Sequence, residues 1–192
     1  MKKEVTAIEV VKRIVAVNKD IRELTFAAYY YVPQSLSDLG LLQLYRLKRP
    51  TVQKIDRMIS VIRKKLKKRW TLGITSKVKL RNGESRHIPQ VDFACPYSSK
   101  NLEKVHRCLS HFVKIKPGYI LKSGRSYHFY SSTLLTQRKW EVFIGNSLLC
   151  NLRGKSVVVD ARWFAYSIRR GFSNLRIIAS YNKPEPKLTA RT

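Results

Sequence analysis

The sequence predicts an α+β fold, and three observations carry the prediction. Apolar residues recur at helical spacing over residues 51–70. The period shortens to that of a strand from Leu72 onward, and Asn82-Gly83, the dipeptide favoured in tight hairpins, stands inside the new pattern. Strand and helix patterns then alternate irregularly, which argues for a mixed or antiparallel sheet with flanking helices and against a doubly wound parallel one. With 192 residues, 44% of them hydrophobic, one domain can bury its own core without disulfides or a structural metal.

Residues 1–71 read as a mostly helical, basic N-terminal region. Val52, Ile55, Met58, Ile59, Ile62, Leu66 and Trp70 fall on one stripe of a helix over 51–70. Its end carries Arg63, Lys64, Lys65, Lys67, Lys68 and Arg69. Such a run is ordinarily a solvated face, and basic residues also suit a helix C-terminus. Six of the seven positions from 63 to 69 is more than a cap needs, which makes these residues candidate phosphate contacts. Residues 74–80 then read as a strand and 88–95 as the returning one. Ser98 or Ser99 caps a helix running through Leu102, Val105, Leu109 and Phe112. Strands at 119–122 and 125–131 are joined at Ser123-Gly124, helices follow at 133–149 and 161–170, and a last strand spans 174–180. The stretch 183–187, with its two prolines, reads as loose, and 186–192 as a loose basic tail.

Lys and Arg total 39 against 12 Asp and Glu, a formal charge of +27. A small domain needs a net charge of only roughly 2–8 for solubility. The commonest reason for such self-repulsion is a polyanionic partner, because each Lys or Arg on a phosphate releases a condensed counterion. A membrane surface is the rival, but the MKKEVT start lacks a myristoylation glycine and no lipidation signal stands near Thr192. No apolar run reaches the ~18 residues of a membrane span. Glu4, Glu9, Lys12 and Arg13 interrupt the place where a signal peptide has its apolar stretch. The expectation is a cytoplasmic, nucleoid-associated protein with no membrane partner. Cys95, Cys108 and Cys150 are odd in number and far apart, so they are expected to be small buried apolar residues, with no zinc site.

Three segments have candidate chemistry. Asp92 lies in the apolar run 88–94, where alternation puts Gln90, Asp92 and Ala94 on one strand face. Ser126 and His128 share a face in 122–130, and Asp160 ends the apolar run Val157-Val158-Val159. Each has an ordinary reading: a turn cap for Asp92, a satisfied core histidine for His128, a helix N-cap for Asp160.

Their order and separation resemble the archaeo-eukaryotic primase superfamily, which includes replicative primase small subunits and primase-polymerases. That family is marked by a strand with two acids one residue apart, a Ser-x-His strand, and an apolar stretch ending in a third acid. Asp92 matches the first element, Ser126-Tyr127-His128 the second and Asp160 the third. Ser123 to His128 is the most specific string, and Asn174-Leu175-Arg176 resembles the Asn-aromatic-Arg that follows the third acid, with Lys183 a looser match beyond it. The resemblance covers residues 72–185 and nothing of 1–71. It implies a primase-polymerase-like, RRM-like sheet with flanking helices. It also implies Asp92, His128 and Asp160 as catalytic residues, with Asp92 and Asp160 as ligands of Mg²⁺ or Mn²⁺. Ser126, His128, Arg176 and Lys183 would then contact a nucleotide triphosphate.

One position departs from the family pattern. The second acid of the first element is Ala94, whose methyl group cannot ligate a metal. Gln90, on the same face, is the substitute donor to consider. The leading expectation is a nucleotidyltransferase that makes or extends a primer on DNA or RNA with a single-stranded part, alone or with a helicase or other replication partner. The alternative keeps the fold without the chemistry, as a nucleic-acid-binding module in replication, mobile-element maintenance or defence. A third, an unrelated basic architectural or ribosome-associated protein, gives Asp92, His128 and Asp160 no reason to converge. Tyr29, Tyr30, Tyr31 and Trp70 are candidates for stacking on unpaired bases, though such aromatics are more often core.

Overall fold

The computed structural model describes residues 4–30, 42–180 and 182–192. The first helix, α1 (Ala7–Val17), starts where the Thr6 hydroxyl accepts a hydrogen bond from the Glu9 amide, and it buries Ala7, Val10, Val11 and Ile14. Two strands follow, β1 (Ile21–Tyr30) and β2 (Leu42–Lys48), and then α2 (Val52–Lys65), capped by Thr51. The next strands are β3 (Trp70–Thr75), β4 (Lys77–Leu80), β5 (Ser85–His87) and β6 (Gln90–Asp92). Helix α3 (Ser99–Cys108), capped by Ser98, runs on into a π-helical turn at Leu109–Val113. Beyond it come β7 (Gly118–Ser123), β8 (Ser126–Ser131), α4 (Gln137–Leu148), α5 (Ala161–Arg170), β9 (Asn174–Arg176) and β10 (Lys187–Arg191). Among the described residues, no helix is long and apolar enough to cross a membrane.

The expected α+β fold is present as two antiparallel sheets. One has the order β5-β4-β1-β3-β9, with β2 on the other edge of β1; the second has the order β10-β7-β8-β6. β1 is long enough to pair β4 through Ile21 and Glu23 and β3 from Phe26 to Tyr30. Helices α1 and α2 pack on the first sheet, where Ile14, Leu24, Phe26, Ile55, Ile62 and Leu72 are fully buried. A second core is built from Phe93, Val105, Phe129, Trp140, Ile144 and Phe164, so α3, α4 and α5 cover the outer face of the second sheet. Strand alternation sends Ile120 and Phe129 into that core, whereas their neighbours Leu121 and Tyr130 join the first one. The inner face of β6, β7 and β8 therefore looks into the seam between the two sheets.

Several expectations are corrected. The N-terminal region is not mostly helical: β1 and β2 lie within it, and β1 pairs β3, so the first sheet runs across residue 71. The helix expected to reach Trp70 stops at Lys65. Leu66 turns extended (φ −65°, ψ 126°), Arg69 adopts a left-handed backbone (φ 68°), and Trp70 pairs with Tyr30. The strand returning from Asn82-Gly83 is β5, and Pro89, which has no amide proton, separates it from β6 in the other sheet. The C-terminal stretch is not loose. β10 pairs β7, the Leu188 amide donates to the Val5 carbonyl, and Ala7 donates to Pro186. Cys108 and Cys150 form a disulfide, with Cα atoms 5.5 Å apart, and Cys95 alone is a free, buried thiol. Tyr29 is buried, Tyr30 and Trp70 are half-buried, and Tyr31 lies outside the described residues.

Candidate active site between the sheets

Registers built from short elements bring the acids and the histidine together. β6 pairs β8 with Asp92 opposite His128 and Gln90 opposite Tyr130, so these side chains share the inner face. The segment 157–160 then runs antiparallel beside β6. Ala94 donates to the Val158 carbonyl (2.9 Å), Phe93 bridges Val159, and the Asp160 amide donates to the Asp92 carbonyl (3.1 Å). Asn151 locks this segment: its Oδ1 accepts from the Val158 and Val159 amides at 2.8 and 3.0 Å, and its Nδ2 donates to the Val159 carbonyl at 3.0 Å. Asp160 caps α5, with Oδ1 accepting from the Arg162 and Trp163 amides at 3.0 and 3.1 Å. The N-cap reading of Asp160 is therefore met. A carboxylate has about four lone-pair sites, so capping does not exhaust it.

The other half of the site is the β7–β8 hairpin with the end of β9. Gly124 (φ 72°) turns the chain so that Ser123 faces Ser126. β9 approaches β3 closely because residue 73 is glycine: a Cβ there would collide with the Asn174 side chain and lie 2.7 Å from the Leu175 carbonyl. That approach aims Arg176 into the seam. Its Nη2 donates to Ser123 Oγ (3.1 Å), and its Nη1 donates to the carbonyls of Ile178 and Pro184, both at 2.6 Å. Ser123 Oγ, which accepts from Arg176, also shares a hydrogen bond with His128 Nε2, 2.8 Å away, whose direction is set by the imidazole tautomer. His128 Nδ1 is buried with no hydrogen-bond partner among the described residues. Asp92 Oδ1 lies 3.6 Å from His128 Nε2, too far for a hydrogen bond.

The electrostatics follow from this packing. Burial, reinforced by the neighbouring Asp160 charge and opposed by Lys183 and Arg176, pushes the Asp92 carboxyl up to about 7. Its side chain is nonetheless 27% exposed, so the carboxylate sits at an opening of the seam. Burial first, then the Arg176 and Lys183 charges, hold His128 well below the usual imidazole range. Arg176 itself is shifted down by burial.

Of the residues expected in the site, Asp92, His128, Asp160, Arg176 and Lys183 come together; a Cβ added at Gly124 would lie 3.5 Å from the Lys183 stem. The serine bonded to His128 is Ser123, whereas Ser126 sits opposite it in the hairpin. One feature of the sequence reading fails. Gln90 is not a spare ligand, since its amide donates to the Ile74 carbonyl and accepts from Ser173 Oγ. Three of the five N–H groups of the Arg176 guanidinium are engaged by the Ile178 and Pro184 carbonyls and Ser123 Oγ. Ala94 is exposed beside the carboxylates. The basic residues Arg63, Lys64, Lys65, Lys67, Lys68 and Arg69 are exposed around the end of α2, where Arg63 approaches Glu185 at 3.5 Å.

A strand acid, a hairpin histidine and a helix-capping acid meeting in one seam of an antiparallel α+β fold define a primase-type domain. The AEP-like family model, described as archaeo-eukaryotic primase 1D-like, matches residues 54–189, and the chain belongs to that family. The match starts within α2, upstream of the point where the motifs begin. No curated protein and no solved structure matches the chain.

Proposed function

We propose that the protein binds nucleic acid and a nucleoside triphosphate with a single divalent cation, Mg²⁺ or Mn²⁺, and joins nucleotides slowly through a two-carboxylate site. The observation that carries this is the backbone bond from Asp160 to Asp92, which sets the two acids on adjacent segments, close enough that the Asp160 charge adds to burial in raising the Asp92 carboxyl. Like charges held together in a partly exposed cleft are relieved by a cation. Among the described residues no group of three acidic, His or Cys side chains surrounds one point, so the donor set fits one ion completed by phosphate oxygens and water, not a two-metal cluster. When bound, such an ion supplies charge neutralisation for in-line phosphoryl transfer. Asp92 and Asp160 would hold it. Ser123 fixes the neutral imidazole of His128, and the buried Arg176 charge keeps Ser123 in place and makes the seam attractive to a triphosphate.

Nucleic-acid binding rests on the +27 charge and the exposed run around the end of α2. Calorimetry with Mn²⁺ and a non-hydrolysable nucleoside triphosphate, beside primer extension on a single-stranded template, tests the proposal. Metal-dependent nucleotide binding and slow extension, both lost in Asp92→Asn, are expected; absence of metal-dependent nucleotide binding by the natural protein refutes the reading. A second reading, a nucleic-acid-binding module without chemistry, is favoured by Ala94 and by the engaged Arg176 fork. It predicts strand binding that ignores metal and no nucleotide joining at any enzyme concentration.

A further inference from the structure

Outside the seam, a cavity combines basic side chains with an apolar floor. It has a volume of about 530 Å³ and lies between α3, the π-helical turn and the loop after α4. Lys104, Arg107, His111 and Lys155 line it, and no acid does. The floor is apolar: Phe112, Leu152, Val158 and the Cys108–Cys150 disulfide. Lys104 Nζ donates to Ser156 Oγ (3.2 Å), tying α3 to the loop across the groove. Phe112 is half-buried, with His111 set edge-on to its ring at 4.7 Å between centroids. The π-helical turn that ends this helix carries both rings.

We infer that this groove binds one unpaired nucleotide of a single-stranded nucleic acid, its base against Phe112 and its phosphates against Arg107, Lys104 and Lys155. Charge complementarity selects the occupant. Four basic side chains without an acid suit phosphate, but a simple anion has no use for the apolar floor. A nucleotide needs both halves, and the volume falls in the range of small-molecule sites, roughly 300–1,000 Å³. A paired base cannot stack there, so the groove discriminates single strands from duplex. The inference rests on the reading that the protein binds nucleic acid, and it uses none of the residues in the seam. Val158 links the two places: its side chain lines the groove while its carbonyl holds Ala94 beside the carboxylates. A strand seated in the groove thus lies against the segment that ends at Asp160.

Fluorescence anisotropy with a labelled oligothymidylate of about 12 nucleotides, within the span such modules cover, tests this. A duplex of the same length and a thymidine mononucleotide are measured in parallel. Phe112→Leu keeps an apolar side chain but removes the stacking face, and it should weaken single-strand binding at least fivefold with duplex affinity and melting temperature unchanged. Arg107→Gln with Lys155→Gln should weaken binding to the strand and lower its salt dependence. If the natural protein binds the oligonucleotide and these variants bind it equally well, the groove inference is overturned while the nucleic-acid reading stands. A mononucleotide that binds as tightly as the strand, or loss of binding to anionic lipid vesicles instead of the oligonucleotide, overturns it too. Failure of the natural protein to bind any strand removes both readings together.

Discussion

Replacing Asp92 by Asn should make the protein more stable, and the gain should depend on pH. Asp92 is shifted from an ordinary 3.8 to about 7, chiefly by burial and then by Asp160. The folded state thus retains a proton that the unfolded chain releases, and stability falls as pH rises from about 4 to about 7. A shift of about three units at 1.36 kcal/mol each sets a ceiling of about 4 kcal/mol. The side chain is 27% exposed, and solvent screening brings the expectation to about 2 kcal/mol. Asn keeps the shape and carries no charge, so the variant should recover this amount above about pH 7, raising the melting temperature by about 5 °C for a chain of this length. Well below pH 3.8 Asp92 is protonated in the folded and the unfolded chain alike, and the difference should vanish. Urea denaturation of both proteins in EDTA at pH 8, 6 and 4.5 measures it. Equal or lower stability of Asp92→Asn at pH 8, or a gain that does not change with pH, would refute the claim that a carboxylate is held at electrostatic cost in the seam.

Asp160 has two separable duties. Asp160→Asn retains a good N-cap and should change stability by less than about 0.5 kcal/mol, whereas Asp160→Ala should cost about 1 kcal/mol, read by thermal melting. Only the charge acts on Asp92, so both variants should move the Asp92 titration back toward 3.8 in carboxyl-detected NMR. Ala94→Asp places a third carboxylate at an exposed position beside the other two and should tighten Mn²⁺ binding in calorimetry; no gain would mean that Asp92 does not face a metal pocket. Changing Lys64, Lys65, Lys67 and Lys68 to Gln should lower affinity for all nucleic-acid sequences alike. The log–log salt slope should become shallower by up to about 3, and an unchanged slope would make the run a solvated surface.

How far the sequence could be read depended on whether a feature was local. Ser98 and Asp160 cap helices where their side chains could be expected to do so, because a cap involves residues within three of each other. The spacing of Asp92, His128 and Asp160 carried enough pattern to place three parts of the seam. Ser123 was within reach too, since a two-residue turn sets it opposite Ser126, but the Ser-x-His pattern drew attention to the wrong serine. β1 and β2 lacked a local signal. Their apolar residues read equally well as helix, and only pairing with β3 and β4, distant in sequence, decides for strand. The disulfide was hidden for a related reason: 42 residues separate its partners, and α3 and α4 must pack before their ends meet. The commitment of Gln90 to Ile74 and Ser173 likewise depends on how two sheets face each other.

The Asn151 clamp has a consequence for how such a chain can diverge. By grasping the backbone of Val158 and Val159, Asn151 closes a small ring of residues whose outer part, 152–157, is exposed and includes Gly154 in open space. Changes of length or character inside that ring are absorbed before they reach Asp160. Leu152, Lys155 and Ser156, which wall the cationic groove, belong to the ring. Descendants of this chain can therefore acquire a different ligand preference by drift in a handful of surface positions while inheriting the carboxylates unmoved, and a reporter peptide grafted at Gly154 should be carried without disturbing either acid.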